Sequence, residues 1–331
     1  MRRTVRHWTV KFGLSALVMA TAVAACSGGD DDGSTKSLGP LRFAPLPPPP
    51  LPIAANSVVD NADTVLALGG GRLFRFDPWT PGAIWVERER DLPSAKSRLV
   101  SWNDRVWYLT NDRGRLELAS VALSDEHRSD TRTVSGATDA SLAIVAARDA
   151  IYVFGTDGGF RIDRDGEYFE FPGPPDRRAV SDWSTAELVE LSDGSIVVVD
   201  GQRLRWIFEP DLARWREPAG DLGQREIRSM AASDDGAYLL AGSPSQILRL
   251  VAANSFAPVS SPLGPGCDTA SLYPTDLGLA LVSCGTVILV DDAGTHSVVA
   301  PEGTTIVRGP RGRPLAVRRD AGEVYLLEFT Q

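Results

Sequence analysis

Beyond about residue 56 the chain is written in short apolar runs, each bounded by Gly, Asp, Asn or Pro. The clearest succession lies between residues 141 and 175. Residues 141–147 form one run, and Ile151-Tyr-Val-Phe-Gly155 follows. After a Gly-rich turn come Phe160-Arg-Ile162, the tight turn Asp163-Arg-Asp-Gly166, Tyr168-Phe-Glu-Phe171 and Pro172-Gly-Pro-Pro175. β-Branched and aromatic residues in runs of this length, closed by turn residues, predict strands joined by hairpins. No helical period of useful length appears after the first 25 residues.

The pattern repeats. Second strands are predicted to begin near Thr64, Arg105, Ala150, Ser195, Ala237, Gly278 and Arg313, at steps of 35 to 45 residues. Four short antiparallel strands per unit of about 40 residues is the signature of a propeller blade. The sequence therefore predicts an all-β fold, a seven-bladed β-propeller of four-stranded antiparallel blades over residues 41–331. Inner strands are expected at 57–59, 96–101, 142–146, 187–190, 227–231, 269–272 and 304–307. The last blade is one outer strand short. Leu41-Arg-Phe-Ala-Pro45 has the character of the other outer strands, so it is predicted to complete that blade against residues 323–329 and cover an open edge.

The first residues are of another kind. Arg2, Arg3 and Arg6 precede an apolar stretch, residues 13–23, that is too short to span a bilayer. It ends in Val23-Ala24-Ala25-Cys26-Ser27-Gly28-Gly29. This resembles the bacterial lipobox, and the resemblance implies a signal peptide over 1–25 and acylation of Cys26. Several acyl chains anchor durably, because each buried methylene contributes about 0.8 kcal/mol. The same resemblance favours the outer over the inner membrane of the cell envelope, since no Asp directly follows the Cys. Residues 26–40 read as a flexible tether. Leu46-Pro-Pro-Pro-Pro-Leu-Pro52 reads as a stiff polyproline connector.

Charge narrows the partners. The chain has 34 Lys and Arg against 43 Asp and Glu; without the four basic residues of the leader, 30 remain against 43, a net charge of −13. So acidic a surface disfavours nucleic acid and anionic headgroups. The partners expected are the lipid bilayer, through acylated Cys26, and another envelope protein. Three Cys and three His without a paired Cys motif predict no metal and no cofactor. With Cys26 lipidated, Cys267 and Cys284 are predicted to form a disulfide. A hairpin turning at residues 274–277 sets Tyr273 against Gly278 and, six steps outward, Cys267 against Cys284, within disulfide reach. Two buried free thiols are the alternative.

Phe208-Glu-Pro210-Asp-Leu-Ala-Arg-Trp215 resembles a kelch blade, in which an aromatic residue and an acid-Pro pair precede a Trp packed between blades. Phe76-Asp77-Pro78 with Trp85 has the same form with two extra residues, and Leu68-Gly69-Gly70 matches the kelch double glycine; the resemblance covers two of seven blades. Candidate chemistry is sparse. Asp163-Arg-Asp165-Gly-Glu167 has the look of a calcium-loop fragment, but a hairpin turn explains each residue. Asp234-Asp235 and Asp291-Asp292 lie beside glycines in turns. His127 falls in a polar run and His296 on an outer strand. The most interaction-like stretch is 174–183, with Arg177, Arg178, Asp182 and Trp183 at the rim; Arg and Trp are favoured interface anchors, and the alternative for Trp183, the favoured one, is that it caps the space between blades. The expectation is a non-catalytic protein-binding or scaffold propeller, not an enzyme. An envelope hydrolase or lyase and a small-ligand sensor or carrier are the alternatives.

Overall fold

The computed structural model describes residues 39–51, 58–61, 63–89, 92, 99–112, 115–123, 130–133, 141–218, 224–233, 236–242, 246–252, 255–258, 270–283, 285–291, 294–318 and 322–330. They form seven antiparallel sheets of four strands each. In chain order the blades cover 58–89, 100–133, 143–172, 187–216, 227–258, 270–299, and 304–329 together with 41–45. Inner strands touch in order from blade 1 to blade 6, and that of blade 7 touches that of blade 1.

The second strand of each blade explains the apolar runs. In Ile196–Asp200, Ile196 and Val198 pack toward blade 3, while Val197 and Val199 pack toward blade 5. In Ala150–Phe154, Ile151 and Val153 face blade 2; Ala150, Tyr152 and Phe154 face blade 4. A strand buried on both faces reads as continuous hydrophobicity, because the period of two sends successive side chains into different cores. Seven buried clusters result, one at each blade interface.

The ring closes by mixing the two ends of the propeller. Leu41–Pro45 pairs antiparallel with Glu323–Phe329, from Leu41 opposite Phe329 to Pro45 opposite Tyr325. Bonding runs further out: Gly39 N–H donates to the Thr330 carbonyl and Thr330 N–H to the Pro40 carbonyl, both at 3.0 Å. Backbone pairing at this edge thus runs from Gly39 to Thr330. The start of the proline run is also docked. Leu46 N–H donates to Val324 O at 2.8 Å, and Leu46 and Leu51 pack on the core between blades 7 and 1.

A polar network braces the same seam. Arg313 grips both oxygens of Asp276 in blade 6 at 2.7 and 2.8 Å, and its guanidinium lies 4.7 Å from the Trp79 ring of blade 1. Arg311 reaches Asp63 of blade 1 at 3.1 Å and lies 4.2 Å from the same ring. Its backbone is left-handed, with φ 55°. Gly312 follows at φ +73°, where an added Cβ would sit 1.9 Å from the Pro274 carbonyl oxygen; only Gly fits there. Arg313 is 12% exposed and Asp276 32%, so the forked pair is partly shielded. Arg313→Ala is expected to cost about 2 kcal/mol in urea unfolding. Arg313→Lys should recover only part of that, because a point charge cannot reproduce the fork; full recovery by Lys would contradict the bidentate reading.

One register differs from expectation. Residues 270–283 do form a hairpin, but its turn is Asp276-Leu277, with Thr275 opposite Gly278 and Pro274 opposite Leu279. The Thr275 hydroxyl accepts from Leu277 N–H at 2.9 Å and donates to Gly278 O at 2.8 Å, which fixes this two-residue turn. The register that set Tyr273 against Gly278, and Cys267 against Cys284, is thus displaced by two residues. Both cysteines lie outside the described residues, as do Cys26, His127, Asp234, Asp235 and Asp292.

Candidate functional site

The largest aromatic cluster among the described residues lies between blades 3 and 4. Phe154 stands at its centre, with ring centroids of Phe171, Phe208, Trp215, Trp183 and Tyr152 at 5.2, 5.4, 5.6, 5.9 and 6.1 Å. Trp215 also donates its indole N–H to the Pro172 carbonyl of the preceding blade at 2.7 Å. Trp85 repeats that contact in blade 1, donating to Pro47 just past the outer strand of blade 7, also at 2.7 Å. Trp85 and Trp215 thus each lock their blade to the one before.

At one end of this aromatic block opens a cleft of about 550 Å³. Tyr152, from the aromatic block, lines it. Arg148 and Asp149 come from the first turn of blade 3, Glu190 and residues 192–195 from the matching turn of blade 4, and residues 209–212 with Arg214 from the last turn of blade 4. Arg148 ties the two blades together. Its guanidinium donates to the carbonyls of Leu191 and Ser192, both at 2.8 Å, and lies 3.4 Å from Glu190; its backbone N–H donates to Glu190 at 3.0 Å. Burial pushes the Glu190 carboxyl up, and neighbouring Asp149 adds to the shift; Arg148 opposes it. Glu209 is held by Arg214 at 2.6 Å and by Arg216 at 3.3 Å. Pro210 starts a single 3-10 turn that carries Leu212 outward, 62% exposed, and ends at left-handed Ala213.

The rim stretch singled out in the sequence lies at the other end of the blade 4 inner strand, before Glu187, whereas the cleft lies beyond Glu190. Arg177 and Arg178 are exposed there, and Arg177 pairs with Asp157 at 2.7 Å. Trp183 is not part of any surface. It is 1% exposed and stacks on Phe154 at an interplanar angle of 9°; the reading in which it fills the space between blades is the observed one. Asp182 caps the short turn ahead of it. It accepts from Ser141 and from Ser184 N–H and Oγ, and these bonds hold its carboxyl below the usual range.

The Asp163 turn is a hairpin closed by Gly166 N–H on the Asp163 carbonyl at 3.0 Å, and the Asp163 side chain accepts from Asp165 and Glu167 N–H at 3.0 and 2.9 Å. His296 lies on the outer strand of blade 6, 3.3 Å from Asp291 and edge-on to Phe329. Among the described residues, no three His, Cys, Asp or Glu side chains are grouped so as to hold a metal.

No family profile matches the chain, and no curated protein matches its sequence. Solved structures do. Virginiamycin B lyase from Staphylococcus aureus superposes with a TM-score of 0.59 at 10% identity, over 88% of this chain and 100% of that one. YCF48 bound to D1 peptide gives 0.58 at 12% identity, over 88% and 97%. PorZ, a surface component of the type-IX secretion system of Porphyromonas gingivalis, gives 0.56 at 13% identity, over 88% of this chain and 39% of that one. The likeness is one of fold. A lyase, a peptide complex and a secretion component share this architecture, so function must be argued from this chain's own surface.

Proposed function

We propose that the protein is an exported, Cys26-acylated lipoprotein whose propeller is a non-catalytic docking module for another envelope protein. The observation that carries the docking part is the cleft between blades 3 and 4. Its walls are three short turns mounted on a packed aromatic block, and a preorganised concavity of this kind binds without the cost of ordering loops. Two solved propellers of similar fold are named for comparable roles, YCF48 with its bound peptide and PorZ at a bacterial surface. The acid-Pro-Trp segments make blades 1 and 4 kelch-like. The lipobox sets the anchor, and the acidic surface keeps the domain off anionic headgroups.

A volume of about 550 Å³ also lies within the range of small-molecule sites. A small-ligand carrier is therefore the second reading.

Anchoring is tested by Cys26→Ala. The variant should leave the membrane fraction and lose label from radioactive palmitate, while wild type keeps both. A variant that stays membrane-bound and labelled would end the lipoprotein reading. Docking is tested in cells with a photo-crosslinking residue in place of Leu212. A discrete crosslinked protein, absent when the crosslinker replaces Arg178 on the other face, is the expected result; no crosslink from position 212 would end the docking reading.

A further inference from the structure

Resting on that docking reading, the geometry points to the chemistry of the partner: a basic side chain, Arg or Lys, flanked by an apolar residue in a protein segment laid into the cleft. The lining carries five carboxylates, Asp149, Glu190, Asp193, Glu209 and Asp211, against two guanidinium groups, Arg148 and Arg214. The two Arg are already committed to Glu190 and Glu209. Asp149, Asp193 and Asp211 are exposed and make no ion pair among the described residues. The cleft therefore holds a surplus of three negative charges at its mouth, arranged on three different turns around one concavity.

Two further features make this more than an acidic patch. Glu190, at 14% side-chain exposure, is drawn into the wall together with its partner Arg148, so this pair is neutral and the three exposed carboxylates set the sign of the cleft. Leu212 is held out at the lip by a proline-initiated turn and a left-handed residue, so its exposure is built into the backbone. A cation among Asp149, Asp193 and Asp211, with an apolar neighbour against Leu212, fits both the charge and the lip. An acidic or phosphorylated segment would meet three uncompensated carboxylates, and the committed Arg side chains have no free fork to offer it.

The test uses the full-length acylated chain in detergent and two peptides of equal length, one alternating Arg and Leu, the other Glu and Leu. Binding is read by fluorescence anisotropy at physiological salt, where long-range attraction is screened. The Arg–Leu peptide should bind and the Glu–Leu peptide should not. Asp193→Asn with Asp211→Asn should weaken binding about tenfold, as expected for two charge contacts of up to about 1 kcal/mol each. Asp157→Asn, a charge change on the opposite face, should alter it by less than about twofold.

Equal binding to wild type and the double variant would mean attraction by overall charge and would overturn the proposal; so would no binding of the Arg–Leu peptide. The crosslink at position 212 separates the two readings. A crosslinked partner that excess Arg–Leu peptide fails to displace leaves docking intact and removes the cationic chemistry. Absence of any crosslink from position 212, with no peptide added, removes both.

Discussion

Deleting residues 41–45 is expected to cost the ring more than any single substitution. The segment is the outer strand of blade 7, and its removal strips the ladder from Leu41–Phe329 to Pro45–Tyr325. Leu41 is 8% exposed and packs with Ala280, Val287, Leu289 and Leu327 between blades 6 and 7; Phe43 packs on the same cluster. Burial of two such side chains is worth roughly 2 kcal/mol each, and ladder hydrogen bonds add about 1 kcal/mol apiece. Arg42 and Glu328 pair at 2.7 Å, but Arg42 is 57% exposed and the pair adds little. The total approaches the whole stability of a typical domain, about 5–15 kcal/mol. The deletion also bares the edge of Glu323–Phe329, a template for aggregation. Differential scanning fluorimetry should show a midpoint lowered by more than about 10 °C, or no cooperative transition. Fusing the same five residues after Gln331 through a Gly-Ser linker should restore part of the loss. An unchanged midpoint after deletion would contradict strand closure.

The architecture was legible because turn chemistry punctuates it. Four second strands start where the sequence places them, at Thr64, Arg105, Ala150 and Gly278, and the other three begin one residue away, at Ile196, Gly236 and Pro314. The partner of Leu41–Pro45 was legible because blade 7 runs out of chain before its fourth strand. The hairpin at residues 270–283 was misread because Pro274 suggested a turn. Pro274 instead lies in the inner strand, which pairs with one neighbour only, so a missing N–H costs nothing on its open side. That two-residue error removes the geometric argument for Cys267 facing Cys284.

The cleft was not legible, and the reason is physical. Arg148-Asp149, Asp193 and Asp211 each read as an ordinary solvated turn, and they are up to 63 residues apart. Only the blade repeat brings them to one end of adjacent blades. One signal was present: Leu212, an exposed large apolar side chain in an otherwise polar turn. The rim stretch drew attention through Trp183 and two Arg, residue types favoured at interfaces. Asp182 ahead of Trp183, with Ser184 behind, is a capping pattern, and it marks the start of a turn that folds the indole inward.

The burial of Trp183 has a measurable consequence. Trp183→Ala is expected to destabilise the protein by about 3–5 kcal/mol, the range for removing a buried Trp ring, and to lower the thermal midpoint by roughly 10 °C. The ring is lost from a stack with Phe154 and from an edge contact with Trp215 at 6.1 Å, so the cavity opens inside the block that supports the cleft. A partner-binding Trp would behave in the opposite way, leaving stability untouched and reducing only affinity. The conservative change is more discriminating. Trp183 Nε1 is buried and finds no acceptor among the described residues, and an unmade hydrogen bond inside a protein carries a cost of about 1–3 kcal/mol. Trp183→Phe keeps an aromatic face against Phe154 while removing that donor. It should therefore cost less than about 1.5 kcal/mol, well below an ordinary large-to-small core change. Equal losses for Ala and Phe, measured by denaturant unfolding, would show that the indole N–H is satisfied and that the stack contributes little.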